Sequence, residues 1–425
     1  MTPHALPAPM NLQEAGLSQE LVTSLVLKTL HAAGELTGAD LAKRLGVVFG
    51  VIEPSLHVLK DQGHCQIMSG AVLAGASYRY RITGEGRSFA TLLLQQSQYV
   101  GVAPVPLAQY RAYMDSKKEA GAPPATYHSV REALSDLVLN DTLLDEIAPA
   151  VNSGHSAFIY GPPGNGKTSI ARAIGRLFGG SINIPHAIEV EGSIIRVFDV
   201  ANHHAQPEVG DRQNLAPHPV DRRWVTCNRP VVVAGGELTL EALELGHDPG
   251  LGYYRAPLQM LANGGVLILD DFGRQRTEPH ELLNRWMVPL ESGIDYLSLR
   301  SGVKFELPFH AFVVFATNIK PSELMDEAFL RRVRHKVFAE NPSPEAFARI
   351  FENCCRERGL AFETSLVEQL LDRTYRLRGI PLRGCHPRDL INNALLLAQY
   401  RGEALVLTLD LLERASAGYF LNERG

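Results

Sequence analysis

The sequence feature that most restricts the fold is a glycine-rich loop between a predicted strand and a predicted helix. The loop reads Gly161-Pro162-Pro163-Gly164-Asn165-Gly166-Lys167-Thr168, and Ser169 follows it. Residues 157–160 form an apolar run typical of a buried strand, and apolar spacing predicts a helix over 169–177. Glycines let backbone N–H groups surround phosphates, and the helix N-terminus adds its positive dipole end. The pattern therefore predicts a phosphate-binding loop, with Lys167 on the β- and γ-phosphates and the Thr168 hydroxyl on Mg²⁺.

A second apolar run ends in two acids. Residues 265–269 read Gly-Val-Leu-Ile-Leu, and Asp270 and Asp271 follow directly. Such a run predicts a strand buried on both faces, and ligand sites collect at the carboxyl ends of these strands. Beside a phosphate loop, we expect Asp270 to hold Mg²⁺, usually through water, and Asp271 to orient the attacking water. ATP and Mg²⁺ are therefore the expected ligands.

The apolar pattern divides the chain into three regions and a linker. Residues 1–100 show a helix, a helix–turn–helix and two strand-like runs, which is the order of a small winged-helix domain. Residues 101–127, rich in proline and alanine, are predicted to be a linker. Over 128–341 strands and helices alternate, which predicts a three-layer α/β core with an insert at about 181–263. Residues 342–425 are predicted to form a helical lid.

Composition narrows the class of protein and its compartment. The chain has 425 residues, 45% hydrophobic and 20% charged, and a formal net charge of −5. That balance provides no global basic field for nucleic acid or an acidic membrane surface. The apolar runs are too short to span a bilayer, residues 1–10 lack a secretory pattern, and the five cysteines lack metal-ligand spacing. We therefore expect a cytoplasmic protein without disulfides or membrane insertion.

From about residue 127 to the C-terminus, the chain resembles the AAA+ ATPases, a family of P-loop NTPases. The strand-like run 312–316 is followed by Thr-Asn, which looks like the family's first sensor and implies that Asn318 contacts the γ-phosphate or the attacking water. Residues Arg331 and Arg332 look like the segment with the arginine finger, which reaches a neighbouring subunit's γ-phosphate. Arg388 resembles the phosphate-contacting residue of the second sensor.

The chain departs from the family at Asp271, where the usual residue is Glu. Aspartate is one methylene shorter, so the water that it orients must lie closer or the strand must shift. The sequence therefore leaves slow hydrolysis open, and also a nucleotide switch with little turnover.

Residues 262–267 resemble one branch of the family. This branch includes the MoxR-like and magnesium-chelatase-like ATPases and carries a β-hairpin inserted in its second helix. In rings of that branch, inserted hairpins tend to face the pore or the client. The resemblance implies client contact somewhere within 187–237, and a structural elaboration without client contact is equally open.

The N-terminal region is poorly equipped to follow a phosphate backbone. Over residues 1–100, seven basic residues are balanced by seven acidic ones. The predicted third helix carries Glu53 and Asp61 beside Lys60. Arg79 and Arg81 on the predicted wing leave DNA contact open, but a protein-docking module is favoured.

These features predict an ATP-dependent remodelling ATPase that acts on a macromolecular client, most simply a protein, as a ring, most simply a homohexamer. Two alternatives are an ATP-switched DNA-binding regulator that uses the winged-helix domain, and a slow nucleotide-gated scaffold. The sequence names neither the client nor the pathway.

Overall fold

The structure is a computed structural model of the chain, and it describes residues 6–68, 75–120, 124–154, 156–207, 219–324 and 327–420. Among these, no helix is both long and apolar enough to cross a bilayer.

The first hundred residues contain the predicted helices and the two predicted strands, together with a short first helix and a further strand that were not predicted. The elements are α1 Leu12–Ala15, α2 Gln19–Ala33, β1 Glu35–Thr37, α3 Gly38–Arg44, α4 Phe49–Asp61, β2 Cys65–Met68, β3 Arg79–Ile82 and α5 Gly84–Gln96. Side chains of Ser18, Thr37 and Thr83 cap α2, α3 and α5. The strands pair antiparallel in the order β1-β3-β2. Between β2 and β3, the predicted Gly-Ala-Ser tip forms a 3-10 turn, Gly75–Ser77, and residues 69–74 lie outside the described residues.

The segment 101–127, predicted to be a linker, differs from that expectation. It contains β4 Val105–Pro106 and α6 Leu107–Ala120. Tyr110, Tyr113 and Met114 on α6 are buried, and the Tyr113 hydroxyl accepts a hydrogen bond from Asn183 N–H at 2.8 Å. The segment packs against the rest of the chain through these buried side chains. Its proline and alanine content gave no indication of this packing.

The next region supplies the core and the strands around it. Over residues 127–234 the elements are α7 Tyr127–Ala133, α8 Asp141–Ser153, β5 Ser156–Tyr160, α9 Lys167–Leu177, β6 Ser181–Pro185, β7 Ala187–Val190, β8 Ser193–Arg196, β9 Trp224–Asn228 and β10 Val231–Ala234. They continue with β11 Gly246–Asp248, β12 Tyr253–Arg255, α10 Leu258–Leu261, β13 Val266–Leu269, α11 Pro279–Ser292, β14 Ile294–Ser298, β15 Lys304–Pro308, β16 Phe312–Thr317, α12 Pro321–Leu324, α13 Glu327–Leu330 and β17 His335–Phe338.

The core sheet has five parallel strands in the order β10-β13-β16-β5-β17. Alternate residues of β13 face opposite layers. Val266 and Ile268 pack with the apolar faces of α7, α8 and α9, whereas Leu267 and Leu269 pack with α11. The predicted three-layer α/β P-loop core is therefore confirmed. One boundary differs: β10 belongs to this sheet, although it lies inside the predicted insert 181–263.

A second five-stranded sheet, β11-β12-β8-β7-β4, lies beside the core, together with the two-stranded pairs β6-β9 and β14-β15. Ala187 and Ile194 of this sheet belong to the same buried cluster as the N-terminal helices. The rings of Tyr99 and Tyr253 meet edge-on at 5.7 Å. The second sheet therefore holds the N-terminal region against the core.

The C-terminal region is helical, as predicted, and it completes the fold class. Its elements are α14 Pro344–Glu357, α15 Thr364–Leu370, a π-helical turn Leu371–Arg376, α16 His386–Arg401 and α17 Leu409–Tyr419. Phe347, Phe351, Leu390 and Leu412 are fully or almost fully buried in its own core. We call this region the lid.

Candidate nucleotide site

Three loops meet at one edge of the core sheet because β13, β16 and β5 are parallel neighbours. The loop 161–166 follows β5, Asp270 and Asp271 follow β13, and Asn318 follows β16. Parallel strands present their carboxyl ends on the same side, where ligands bind in open α/β sheets. The structure thus brings together the predicted phosphate loop, both acids and Asn318.

The phosphate loop depends on glycine where the backbone passes close to other parts of the chain. Gly161 has φ 144°, and a Cβ there would collide with the carbonyl of Ala339. Gly164 has φ 82°, and a Cβ there would collide with the thiol of Cys385. These two contacts hold the loop against the end of β17 and against the lid.

Lys167 begins α9 and is only 7% exposed. Its ammonium donates to the carbonyls of Gly161 at 3.0 Å and Pro162 at 2.8 Å. Burial is the main influence and lowers the pKa of Lys167; Asp271 and Asp270 act in the opposite direction. A buried cation held by backbone carbonyls is suited to an anionic phosphate.

Asp270 and Thr168 lie side by side and together could hold a metal ion. The Thr168 hydroxyl lies 2.9 Å from each carboxylate oxygen of Asp270. The backbone N–H of Asp270 donates to Ala234 O at 2.8 Å, which ties the acid to β10. A carboxylate beside a hydroxyl at the start of a phosphate-binding helix provides the hard oxygen ligands that Mg²⁺ prefers, so these residues fit the ion.

Asp271 is exposed and has φ 47°, a left-handed conformation that is uncommon for a residue other than glycine. Asn318 Nδ2 donates to Asp271 Oδ1 at 3.2 Å. The strand ends behind this pair are also joined: Phe272 N–H donates to Ala316 O at 2.8 Å, and the Thr317 hydroxyl donates to Phe272 O. The carboxylate and the amide therefore face one point beside the phosphate loop.

The lid contacts the phosphate loop directly. Cys385 N–H donates to Gly164 O at 2.8 Å, and Gly384 N–H donates to Asn165 Oδ1 at 3.2 Å. Arg383, just before them, donates from Nη1 to Asn341 Oδ1 at 3.0 Å, and its positive charge adds to burial in lowering the pKa of Lys167. Arg383 thus lies within electrostatic reach of the phosphate site.

A cavity of about 280 Å³ opens between the loop, α8 and α14. Its walls combine apolar side chains with amide and charged groups. Those most relevant to a flat heterocycle are Val138, Leu139, Ile170, Ile350, Asn140 and Arg349. The cavity adjoins the phosphate loop, so it is positioned for the base of a nucleotide.

The predicted arginines lie in different surroundings. Arg388 is exposed on the first turn of α16, with Nε 3.4 Å from Asp389 Oδ1. Arg332 is 16% exposed and its Nη2 lies 2.7 Å from Glu291 Oε2. Arg331 is exposed, and within the described part of the chain it has no ion-pair partner. The sequence analysis did not identify Arg383. Its position beside the phosphate loop became clear only when the structure showed where α16 begins.

The chain was compared with known proteins. The sequence model of one family, described as a domain of unknown function (DUF8689), matches residues 343–417. No curated protein matches the sequence. Among solved structures, the chain is similar to the RuvB Holliday junction branch migration motor of Thermotoga maritima, at 12% identity and TM-score 0.38, over 66% of this chain and 69% of that chain.

The chain is also similar to NtrX from Brucella abortus in complex with ATP, at 16% identity and TM-score 0.37, over 66% of this chain and 58% of that chain. The NtrX complex with ADP has 16% identity and TM-score 0.38, over 69% of this chain and 59% of that chain. The fold assignment for this chain rests on the strand order and layers described above.

Proposed function

We propose that this protein is an AAA+ ATPase that uses ATP hydrolysis to remodel a macromolecular client. The observation that carries the proposal is the convergence of Lys167, the Thr168–Asp270 pair and the Asp271–Asn318 pair at adjoining strand ends. Each pair supplies a different requirement of phosphoryl transfer: metal binding in one case and placement of the nucleophile in the other. A simple phosphate-binding protein has no need of the second pair.

The reaction follows from the chemistry of these side chains. Lys167 and the loop N–H groups bind the phosphates, and Thr168 with Asp270 would hold Mg²⁺, which would supply positive charge that stabilises the transferred phosphoryl group. Asp271 accepts a hydrogen bond from water and aligns it for attack, while Asn318 fixes the carboxylate. The left-handed backbone at Asp271 is consistent with a strained functional residue. It also offers a way for the shorter acid to reach the water.

Two arginines are proposed to complete the site. Arg331 supports the role of arginine finger better than Arg332, because Glu291 already holds Arg332. The finger would act in trans, so activity depends on a ring, for which a homohexamer is the proposed size. From the lid, Arg383 is better placed than Arg388 to contact a phosphate within its own subunit.

The structure changes the region of the chain in which we propose client binding. Within 187–237, Ala187 and Ile194 are buried against the N-terminal region. That burial favours a structural elaboration over client contact for this part of the second sheet. We propose that the N-terminal winged-helix-like domain recruits a protein client. We also propose that the protein is cytoplasmic, and that its domain boundaries are those predicted, except at β10 and in the segment 101–127.

A DNA-binding regulator is the second candidate, and two observations weaken it. Arg79 and Arg81 both pair with the single carboxylate of Glu35, at 2.9 and 2.7 Å, which offsets one of the two positive charges of β3. The start of α4 is covered, since a Cβ on Gly50 would lie 2.5 Å from Met10 O. Fluorescence anisotropy with duplex DNA at two salt concentrations tests this candidate: a steep salt slope would support DNA contact.

The Asp271→Asn variant tests the proposed hydrolysis. We expect phosphate release to fall by about 100-fold or more, because the amide cannot polarise water as a carboxylate does. Affinity for a fluorescent ATP analogue should change by less than about threefold, since Lys167 and Asp270 are intact. Asp61→Asn, at the exposed end of α4, is the matched control.

Hydrolysis by Asp271→Asn at the unmodified rate would rule out the proposed role of Asp271. Tight ATP binding with negligible phosphate release by the unmodified chain would instead support the slow nucleotide-gated scaffold.

A further inference from the structure

Asn165 in the phosphate loop makes hydrogen bonds on two sides with one side chain. Its Nδ2 donates toward Glu340 O at 3.0 Å, Asn341 Oδ1 at 2.9 Å and, more weakly, Ala339 O at 3.3 Å. Its Oδ1 accepts from Gly384 N–H at 3.2 Å. No requirement of phosphate binding explains these contacts, because the loop binds phosphate through its backbone.

The partners of Asn165 lie where the core joins the lid. Residues 339–341 lie between β17 and α14, where the chain passes from the core to the lid; we call them the hinge. Gly384 lies two residues before α16, on the other side of the loop. One amide therefore joins the phosphate loop to the hinge and to the body of the lid.

The chemistry of an amide suits this position closely. An asparagine side chain has two N–H donors and one acceptor oxygen, and here the donors face three oxygens while the oxygen faces an N–H. An aspartate would turn a negative charge toward two carbonyls and the Asn341 oxygen. A shorter hydroxyl side chain could not reach both sides. The position thus selects for both the length and the polarity of asparagine.

The same residues enclose the cavity beside the loop. Asn165, Glu340, Asn341 and Gly384 all line it, so a base inside is bounded by the hydrogen-bonded partners. A movement of the lid away from the loop would widen the exit for the base, and Asn165 bonds to the segment that would move. The amide therefore acts on the opening step and has no contact with the Asp271–Asn318 pair within the part of the chain described.

We propose that Asn165 is a positioning residue that latches the lid to the phosphate loop and thereby sets the rate at which bound nucleotide leaves. The effect on nucleotide release rests on the proposed function, whereas the latch itself is a property of the ligand-free chain. The backbone hydrogen bond from Cys385 N–H to Gly164 O also joins the lid to the loop and so supports the latch.

The test compares Asn165→Ala, Asn165→Asp and Asn341→Ala in the full chain. Dissociation of a fluorescent ADP analogue, chased with excess ADP, should become roughly tenfold faster in the two Asn165 variants, because at least two net hydrogen bonds are lost. Asn341→Ala removes one acceptor and should give a smaller change in the same direction. Single-turnover hydrolysis of ATP already bound is measured alongside, because an effect on the chemical step alone would appear as a lower rate without faster release.

Hydrogen exchange provides a readout without nucleotide. Amides of residues 384–386 should exchange faster in Asn165→Ala than in the unmodified chain, while those of β5 and β13 should not change. Asn228→Asp is the matched control, because it adds one charge at an exposed site and keeps the acceptor that Gln206 uses.

The outcomes separate the two claims. If the unmodified chain binds no nucleotide, the proposed function fails, and exchange at 384–386 still decides the latch. Unchanged exchange together with unchanged dissociation in Asn165→Ala would overturn the latch, even if the chain hydrolyses ATP. A fall in single-turnover rate without faster release would also overturn it, because Asn165 would then act on the chemical step.

Discussion

The chain contains two five-stranded sheets that differ in direction and in use. The core sheet is entirely parallel, and its carboxyl edge holds every side chain proposed for hydrolysis within one subunit except those of the lid. The second sheet mixes directions: β12-β8 and β7-β4 are parallel, whereas β11-β12 and β8-β7 are antiparallel. Its strand ends therefore share no common edge, and it serves as the support of the N-terminal region.

The comparison shows why strand direction matters for building a site. Parallel neighbours deliver loops from distant parts of the sequence to one edge, so a phosphate loop, two acids and an amide can meet. A mixed sheet distributes its loops over both edges and gains contact area instead. We therefore expect the core to carry out the chemistry without help from the N-terminal region. Substitutions in the N-terminal region should change the stability of the chain but not its affinity for nucleotide.

The largest expected effect concerns Arg331, which would extend the core's chemistry to a second copy. Arg331→Ala should lower ATP turnover by about 1,000-fold, since arginine fingers stabilise charge in the transition state to that degree. Nucleotide affinity should remain near that of the unmodified chain. Phosphate release and analogue binding measure the two quantities.

Mixing variants shows whether the arginine acts in trans. Arg331→Ala and Lys167→Ala chains should each be inactive, yet a mixture should regain activity, because an intact loop then meets an intact arginine. Arg332→Ala serves as a comparison and should disturb the Glu291 contact. Full activity of Arg331→Ala alone would show that this arginine lies outside the reaction.

A smaller effect is expected from Lys167→Ala, which tests whether nucleotide binds only at the core edge. Affinity for ATP should fall by about 100-fold, because the loop loses the cation that contacts two phosphates. Unfolding of the ligand-free chain should shift by less than about 1 kcal/mol, since the buried ammonium meets only carbonyls there. Calorimetric titration and urea unfolding measure these changes, with Lys43→Ala, exposed on α3, as control. Retained affinity would place the nucleotide elsewhere.

The smallest effect is expected in the N-terminal region and concerns Lys28. This residue is 3% exposed, its ammonium donates to Ser97 O at 3.1 Å, and burial lowers its pKa from 10.5 to about 8. Between about pH 8 and 10.5 the unfolded chain binds the proton more tightly, so stability should rise with pH in this window. Lys28→Met should abolish that rise and add on the order of 1 kcal/mol at pH 7.

Urea unfolding at pH 7 and pH 9.5 checks this, with the exposed Lys43→Met as control. ATP affinity should be unchanged, because Lys28 and its hydrogen-bond partner Ser97 both lie in the N-terminal region. A large change in affinity would mean that the two regions are coupled more closely than the two sheets suggest.

Sequence reasoning reached the core because its signals are local. The buried strands β5, β13 and β16 are continuous apolar runs, and each is followed directly by the loop, the acids or Asn318. The carboxyl ends of three neighbouring parallel strands bring these residues together. Their proximity could therefore be predicted without knowing any side-chain contact. The fold class and the members of the edge cluster followed from that pattern.

The remaining features depend on contacts between distant parts of the chain. The strand β10 follows other strand-like runs within the predicted insert, so only its pairing with β13 shows that it belongs to the core. The pairing of β4 with β7 joins segments far apart in sequence, and neither has periodicity that predicts the other. The same limit applied to the arginines, because Arg383 and Arg388 differ in whether they precede or follow the start of α16.

By itself, the sequence determined the phosphate loop, the acids that follow the second apolar run, and the three-layer core, because each is encoded in adjacent residues with a clear physical preference. Only the tertiary structure decided how the second sheet joins the N-terminal region, which lid arginine faces the loop, and that Asn165 bonds to both the hinge and the lid. Those features arise from hydrogen bonds and packing between segments whose separation along the chain leaves no mark in the local pattern.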